Sequence, residues 1–378
     1  MRIAILTQPL RYNFGGILQN YALQTVLRRM GHEVVTLDPP RYLCQRWWQY
    51  LFLIFRHIIT RYIRGHHEVI ISAEWIQDKE TRILGTNTFK FIDQYIQRME
   101  HRNLRKEIKE SDYDAYIVGS DQTWRCRYNN ERIQDMFLFF TKGWQVKRIA
   151  YAASFGTDNW EGDAETTKIC REAIKDFNLV TTRESSGLDI CKKIFNVKAK
   201  HVLDPTLLLA KEDYQKLVDN KKNDGATTHK GELYLYILDC NKENQQLAED
   251  IAESRKLTPF SYQALNEWNQ QRPLKKLIQY PVELWLNGFE QAKMVLTDSF
   301  HACVFSIIYR KQFYLYSNKD RGTARYTSLF DMLGIGNRMV KTLDDVNNLK
   351  DINYDTVYER LQLFQRKSID YIIESLVK

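Results

Sequence analysis

The segment 295–308 holds the histidine that is best placed for acid–base chemistry. An apolar, β-branched run up to Thr297 predicts a strand, and from Phe300 onward apolar residues recur at helical spacing. His301 therefore falls in the first turn of a helix, where backbone N–H groups and the helix dipole favour a bound anion. An imidazole there can move a proton beside an anionic substrate. The alternative is a buried, hydrogen-bonded histidine without a chemical role.

Asp298 and Ser299 lie at the junction between this predicted strand and helix. Either side chain can cap the first turn of the helix. A carboxylate at this position can also orient the ring of His301, so Asp298 joins His301 as a candidate catalytic residue. Ser299 is a candidate for binding substrate.

Three predicted strand ends in the first half of the chain carry glycine or small polar residues. They are Asn13, Gly15 and Gly16 after the first strand, Ser120 and Asp121 after a buried strand at 115–118, and Ser154 and Gly156 after the strand at 147–153. Ligands of open α/β sheets bind at the carboxyl ends of strands. One such end would be only a tight turn, but three of them predict a shared polar cleft.

Arginines are predicted at the same edge. Arg183 follows the strand at 179–182, where a guanidinium can hold a phosphate or carboxylate by two hydrogen bonds. The alternative is a surface ion pair with Glu184. Arg321 and Arg325 lie in a polar loop around a glycine and can neutralise an anionic substrate, the alternative being simple exposure to solvent.

The length of 378 residues and the alternation of strands and helices predict two doubly wound α/β domains. We expect the first domain at 1–170 and the second at 171–345. The segment 346–378 has helical apolar spacing and is predicted to pack back across the junction.

The segment 41–67 interrupts this alternation. It contains no acidic residue, its large apolar residues recur at helical spacing, and its arginines fall mostly off that stripe. The apolar run is too short to span a bilayer. The pattern is typical of an amphipathic helix in a membrane interface, with basic side chains at anionic head groups. The alternatives are a helical insertion packed on the first domain and a dimer contact.

Composition and charge bear on several classes of protein. The net charge is +8, but no basic block with interleaved aromatic residues indicates nucleic-acid binding. Six scattered cysteines without a Cys-x-x-Cys pair indicate neither a disulfide framework nor a metal site. The amino terminus enters a strand directly and lacks the pattern of a signal peptide, so we expect a cytoplasmic protein.

Collinear motifs over nearly the whole chain resemble the polysaccharide pyruvyl transferase family. The motifs are Asn13-Phe-Gly-Gly, Gln19-Asn-Tyr-Ala-Leu-Gln24, Val118-Gly-Ser-Asp-Gln122, Tyr151-Ala-Ala-Ser-Phe-Gly156, Thr182-Arg-Glu-Ser-Ser186, Val202-Leu-Asp-Pro-Thr206 and Thr297-Asp-Ser-Phe-His301. The resemblance implies two Rossmann-like domains facing a cleft, as in the GT-B glycosyltransferases. It also implies transfer of a pyruvyl group from phosphoenolpyruvate to a sugar of a bacterial surface polysaccharide, usually as a cyclic ketal, without a further cofactor.

The resemblance also assigns roles. Arg183 matches the family arginine that holds phosphoenolpyruvate, and His301 matches the histidine near the reacting carbon. Ser299 stands where some members have an arginine, so we expect Arg321 or Arg325 to replace that cation. The acceptor is expected on the first domain and the donor on the second. The substrate-binding candidates are Asn13, Gly15, Gly16, Gln19, Asn20, Ser120, Asp121, Ser154, Gly156, Ser299, Arg321 and Arg325.

Two other functions fit the same residues. One is a glycosyltransferase of this fold that places its arginines on the diphosphate of a nucleotide sugar. The other is a non-catalytic, membrane-associated factor of polysaccharide assembly, for which the segment 41–67 is the argument. Whether the sugar acceptor is linked to a lipid or to a nucleotide stays open.

Overall fold

Two β-sheets with helices on their faces form the two halves of the protein in a computed structural model. The structure describes residues 1–44, 46–68, 70–129, 132–223, 230–264, 273–316 and 323–377. All strand pairs among these residues are parallel. The prediction of two doubly wound α/β domains is confirmed.

The first sheet has seven strands in the order β3-β2-β1-β4-β5-β6-β7. The strands are β1 (Arg2–Leu6), β2 (Glu33–Asp38), β3 (Arg98–Glu100), β4 (Ala115–Val118), β5 (Lys147–Ala153), β6 (Leu179–Thr182) and β7 (Lys200–His201). Its central strands are mostly apolar and buried, because helices cover both faces of the sheet.

The second sheet has five strands in the order β12-β11-β10-β8-β9. They are β8 (Leu233–Tyr236), β9 (Pro259–Phe260), β10 (Met294–Thr297), β11 (Gln312–Tyr316) and β12 (Met339–Val340).

Sixteen α-helices are described along the chain. They are α1 (Phe14–Arg29), α2 (Trp47–Ile58), α3 (Ala73–Leu84), α4 (Thr86–Tyr95), α5 (Leu104–Glu107), α6 (Cys126–Asn129), α7 (Ile133–Met136), α8 (Ala164–Ile174), α9 (Ser185–Ile190), α10 (Lys211–Asn223), α11 (Lys242–Arg255), α12 (Val282–Gln291), α13 (Phe300–Ile308), α14 (Ala324–Leu333), α15 (Leu343–Asn348) and α16 (Tyr354–Val377). Within the described ranges, none of the helices is long and apolar enough to cross a membrane.

The border between the domains differs from the predicted one at residues 170 and 171. Strand β6 pairs with β5 and β7 pairs with β6, so the first sheet continues to His201. The spacing of apolar residues predicts that 179–182 is a strand, but it does not predict which strand pairs with it.

The two domains share an apolar core. Phe14, at the start of α1, stacks on Trp285 of α12 with ring centroids 5.3 Å apart. Helix α16 lies across both halves: Tyr358 donates to the carbonyl of Ile308 in the second domain, and Ser368 accepts from the backbone N–H of Leu203 beside the first. These contacts hold the carboxyl ends of the two sheets against each other.

The segment 41–67 forms α2 and a π-helical turn at Ile59–Ile63. None of the residues of α2 is buried. The alternative of a helical insertion packed on the first domain is met in part, because Tyr50 donates to Asp78 of α3 and Leu53 and Ile54 are half-buried, whereas most of the apolar stripe is exposed.

Candidate functional site

The strand order creates a crevice at the carboxyl ends of the neighbouring strands β1 and β4. The chain continues from β1 to β2 on one side of this pair and from β4 to β5 on the other side. Asn13 caps α1 there, and its Oδ1 accepts hydrogen bonds from the N–H groups of Gly15 (3.1 Å) and Gly16 (3.4 Å). Asp121, just after β4, points its carboxylate toward Gly16. The first two predicted polar strand ends thus meet in this crevice, and the third adjoins it, since the N–H of Ser154 donates to the carbonyl of Asp121 at 3.1 Å.

The imidazole of His301 closes the crevice from the second domain. It lies so near Gly15 that a Cβ atom at that position would overlap the ring. Only glycine permits this approach of α1 to α13. The amino-terminal turns of two helices, one from each domain, therefore face each other across the site.

Arg183 is buried at the centre of the site, with 1% of its side chain exposed. Its Nη1 donates to Asp204 Oδ2 at 2.9 Å, and its Nη2 lies 3.7 Å from Asp121 Oδ1. The alternative of a surface ion pair with Glu184 is wrong. Oε1 of Glu184 instead accepts from the N–H groups of Phe155 and Gly156.

Asp204 links the two domains. Its Oδ2 also accepts from Ser120 Oγ at 2.8 Å and lies 3.7 Å from His301 Nε2, while Oδ1 accepts from the N–H and hydroxyl of Thr206. Burial would raise the pKa of this carboxyl, but His301 and Arg183 outweigh it and hold the pKa well below its usual range. We call Ser120, Asp121, Arg183, Asp204 and His301 the Asp204 cluster.

Parts of the cluster keep unused hydrogen-bonding capacity. Among the described residues, Nε and Nη2 of Arg183 and Nε2 of His301 have no hydrogen-bond partner, although all three atoms are buried. Such atoms are costly to leave unsatisfied and are available to an anionic ligand. Asp121 adopts φ +74°, a left-handed conformation that asparagine and aspartate tolerate better than most residues.

A second guanidinium lies close to the cluster. The Cζ atoms of Arg183 and Arg325 are 4.4 Å and 5.9 Å from the ring centroid of Phe300. Arg325 is in the first turn of α14 and is 8% exposed, so the alternative of a solvent-exposed loop residue is wrong. Burial lowers its pKa, which an added anion would offset. Arg321 lies outside the described residues.

Asp298 does not have the predicted position. Its Oδ1 accepts from the N–H of Leu238 at 2.7 Å and its Oδ2 from the N–H of Asp239 at 2.9 Å. The carboxylate thus joins the ends of β10 and β8 at the switch point of the second sheet, and the carboxylate beside His301 is Asp204. Ser299 is the cap residue of α13, without a capping side-chain hydrogen bond, and is 8% exposed.

Four of the predicted binding residues are part of the support of the site. Gln19 donates to Thr7 and to the carbonyl of Gly16, and Asn20 accepts from Thr36. Oγ of Ser154 accepts from the N–H of Gly156. These contacts fix the backbone around the crevice.

Asp204 is a candidate functional residue that the sequence motifs did not single out. It lies in the motif 202–206 but is not among the predicted catalytic or binding residues. Its signal was the position after a short strand, the same signal that selected Arg183. A carboxylate after β7 meets an arginine after β6 because the strands are neighbours, and that pairing is a tertiary fact.

The arrangement can bind a small dianion and move a proton beside it. Arg325, the unsatisfied nitrogens of Arg183 and two helix amino termini can bind an anion beside the carboxylates of Asp121 and Asp204, and His301 supplies an imidazole nitrogen that can donate or accept a proton. Because the charged side chains are almost fully shielded from water, we expect the two domains to separate for substrate entry and to close around the bound molecule.

Comparison with known proteins shows the family of the chain. A sequence model of the family described as polysaccharide pyruvyl transferase matches residues 13–320. None of the curated proteins matches the chain.

Solved structures show the same fold at low sequence identity. UDP-GlcNAc 2-epimerase from Neisseria meningitidis, bound to UDP-GlcNAc, is 9% identical with a TM-score of 0.50, and each chain is covered completely. The epimerase from Methanocaldococcus jannaschii in complex with UDP-GlcNAc and UDP is 10% identical with a TM-score of 0.51, covering 100% of this chain and 99% of that one. Arabidopsis thaliana UGT89C1 complexed with UDP is also 10% identical, with a TM-score of 0.51 and complete coverage of both chains. The fold is therefore GT-B-like.

Proposed function

Because this chain belongs to the polysaccharide pyruvyl transferase family, we propose that it transfers a pyruvyl group from phosphoenolpyruvate to two hydroxyls of one sugar, as a cyclic ketal, in bacterial surface polysaccharide biosynthesis. The observation that supports this donor is the meeting of Arg183, Arg325 and His301 between the domains. Phosphoenolpyruvate carries a phosphate and a carboxylate, and each can take one guanidinium.

The residues of the site suit each step of this reaction. One sugar hydroxyl adds to the central carbon of phosphoenolpyruvate, its proton passes to a base, and another proton is delivered to the methylene carbon, which becomes a methyl group. A second hydroxyl then displaces phosphate at the same carbon and closes the ketal. His301 serves as the general acid and base, and Asp204 positions its ring. The arginines stabilise the charge on the departing phosphate.

The proposal also includes an acceptor class and a cellular location for the reaction. We place the reaction in the cytoplasm, at the inner face of the membrane, with a sugar precursor as the acceptor. No further cofactor is needed, since phosphoenolpyruvate supplies both the pyruvyl group and the leaving group.

Mass analysis of acceptors incubated with phosphoenolpyruvate tests the reaction. The expected product is a sugar that has gained one pyruvyl ketal, with release of one inorganic phosphate. The acceptor panel contains lipid-linked and nucleotide-linked sugar precursors. A His301→Ala variant is the matched control and is expected to give no product.

Binding separates this function from a glycosyltransferase of the same fold. We expect phosphoenolpyruvate to raise the thermal unfolding midpoint and nucleotide sugars to leave it unchanged. Stabilisation by a nucleotide sugar alone, with sugar transfer to an acceptor, would replace our proposal by that function. A chain that binds neither donor would instead match a non-catalytic assembly factor.

A further inference from the structure

Helix α2 presents its apolar side to solvent. Residues at spacings of one, three and four positions form one stripe, with exposed fractions from 39% to 73%. The stripe consists of Trp47, Trp48, Leu51, Phe52, Phe55, Ile58 and, in the following turn, Tyr62. We call these residues the apolar face of α2. A surface helix of a globular protein normally turns such a stripe toward the core.

The polar side of α2 holds the helix to the protein. Tyr50 donates to Asp78 at 2.7 Å, and Nε2 of His57 lies 3.5 Å from Glu74. Asp78, on α3, also accepts from the N–H groups of Leu43 and Cys44. The half-buried side of α2, which carries Tyr50, Leu53, Ile54 and His57, is thus held inward, and the stripe faces outward.

Neighbouring residues extend the apolar surface. Ile63 and Ile70 follow α2 and are 77% and 60% exposed, and Trp75 and Ile76 on α3 are 48% and 39% exposed. Contiguous apolar surface of this kind marks an interaction site. Tryptophan is enriched where proteins meet the head-group layer of a membrane.

The charged residues of the segment 41–67 are all basic, whereas Glu68 and Glu80 are exposed among the residues that follow. Arg46, Arg56 and Arg64 are exposed, and residues 41–67 contain no acidic side chain. Two copies of this face placed together would bring these arginines toward each other, which is unfavourable. Anionic lipid head groups match them, at about 1 kcal/mol for each basic residue near such a membrane.

We propose that the apolar face of α2 inserts into the head-group region of an anionic lipid bilayer. The helix lies in the plane of the interface, with aromatic side chains among the upper acyl carbons and arginines at the phosphates. This location selects lipid-linked sugars among the acceptor classes, a step that rests on the proposed function.

The surface is connected to the candidate site. The chain leaves β2 at Asp38, at the carboxyl edge of the first sheet, and reaches α2 after eight residues. In the helices that follow, Thr88 of α4 donates to the carbonyl of Arg11, two residues before the cap residue Asn13. A sugar carried on a membrane lipid would therefore approach the cleft from the side of the first domain.

Flotation with vesicles tests the membrane contact on the full chain. The vesicles contain phosphatidylcholine alone or phosphatidylcholine with phosphatidylglycerol. The parent is expected to float with the anionic vesicles, and Phe52→Asp/Phe55→Asp to lose about tenfold or more of the bound fraction. Leu363→Asp is the matched control, because Leu363 is 51% exposed on α16, and it should float like the parent.

Three outcomes would overturn the inference. They are failure of the parent to float, equal flotation of the parent and the double variant, and equal binding to neutral and anionic vesicles. A dimer in sedimentation that the double variant abolishes, without flotation of the parent, would assign the face to a second copy.

Flotation is independent of catalysis, so its failure leaves the proposed reaction untouched. Conversely, a chain that floats but does not turn over phosphoenolpyruvate would support the membrane contact and contradict the proposed reaction. If the parent both floats with vesicles and turns over phosphoenolpyruvate, the double variant should lose turnover on a vesicle-bound acceptor. It should keep turnover on a soluble analogue of that acceptor.

Discussion

The Asp204 cluster and the apolar face of α2 depart from the usual distribution of residues in opposite directions. The cluster places charged side chains where almost no water reaches, whereas α2 places aromatic rings in water. In the cluster, ion pairs and hydrogen bonds offset much of the cost of burial, and three buried nitrogens stay unsatisfied. On α2, none of the described neighbours buries the stripe.

The two regions therefore call for different kinds of partner. A buried charged group that lacks partners is satisfied by a ligand of opposite charge, and an exposed apolar stripe is satisfied by an apolar phase. The cluster is therefore coupled to the stability of the fold, since its charges hold one another. The face of α2 is not coupled to it, and changes in the two regions should differ in what they damage.

The largest effect is expected for Arg183→Ala. Removing the guanidinium leaves Asp204 and Asp121 buried without their main cation, which should cost about 3–5 kcal/mol of unfolding free energy as well as turnover. Urea unfolding and phosphate release measure the two losses. Arg366→Ala, an exposed arginine on α16, is the control. Unchanged stability would show that the cluster is not coupled to folding.

His301→Ala should separate chemistry from stability. Loss of the proposed general acid and base is expected to lower turnover about 10²–10⁴-fold, with a smaller loss of stability than in Arg183→Ala. Phosphate release in the presence of phosphoenolpyruvate and acceptor gives the first quantity, and thermal unfolding gives the second. His32→Ala, at the opposite end of β2, should keep parental turnover. Near-normal turnover of His301→Ala would refute the assignment.

Asp204→Asn tests the electrostatic part of the cluster through pH. The lowered pKa of Asp204 means that its contribution is complete above the unfolded value of about 4 and is lost as pH falls through the folded pKa. We expect the variant to lose about 2 kcal/mol near neutral pH. The gap to the parent should narrow below about pH 4, as measured by urea unfolding across pH. A gap that widens on acidification would contradict the sign of this shift.

Gly15→Ala tests the close approach of the domains. The new methyl group would displace the ring of His301, and misplacement on that scale lowers turnover about tenfold to a hundredfold. Gly119→Ala is the matched control, because a methyl group there meets only ordinary van der Waals contacts. Equal activity of the two variants would mean that the working enzyme does not close in this geometry.

The smallest effect on folding is expected on α2. Phe52→Asp/Phe55→Asp should change the free energy of unfolding by no more than about 0.5 kcal/mol for each substitution, because both rings already lie in water. Urea unfolding without lipid measures it. A loss comparable to that of Arg183→Ala would show that the stripe is packed, and the contrast between the two regions would disappear.

The helices and strands that carry the candidate residues can be predicted from the sequence. The spacing of apolar residues predicts α13 with His301 in its first turn, the strand that presents Arg183, and the amphipathic character of α2. These predictions succeed because the periods of helix and strand are set by the backbone within a few residues. The motifs also identified the family before the fold was known.

Tertiary structure alone decided which of these elements meet. Asp204 pairs with Arg183 because β6 and β7 are neighbours, and it reaches His301 only because the domains close on each other. Asp298 is held by the end of β8, and the stripe of α2 faces outward because Tyr50 and His57 bind α3. Strand order and domain packing depend on contacts between residues far apart in the chain. The spacing of residues within a short segment does not predict such contacts.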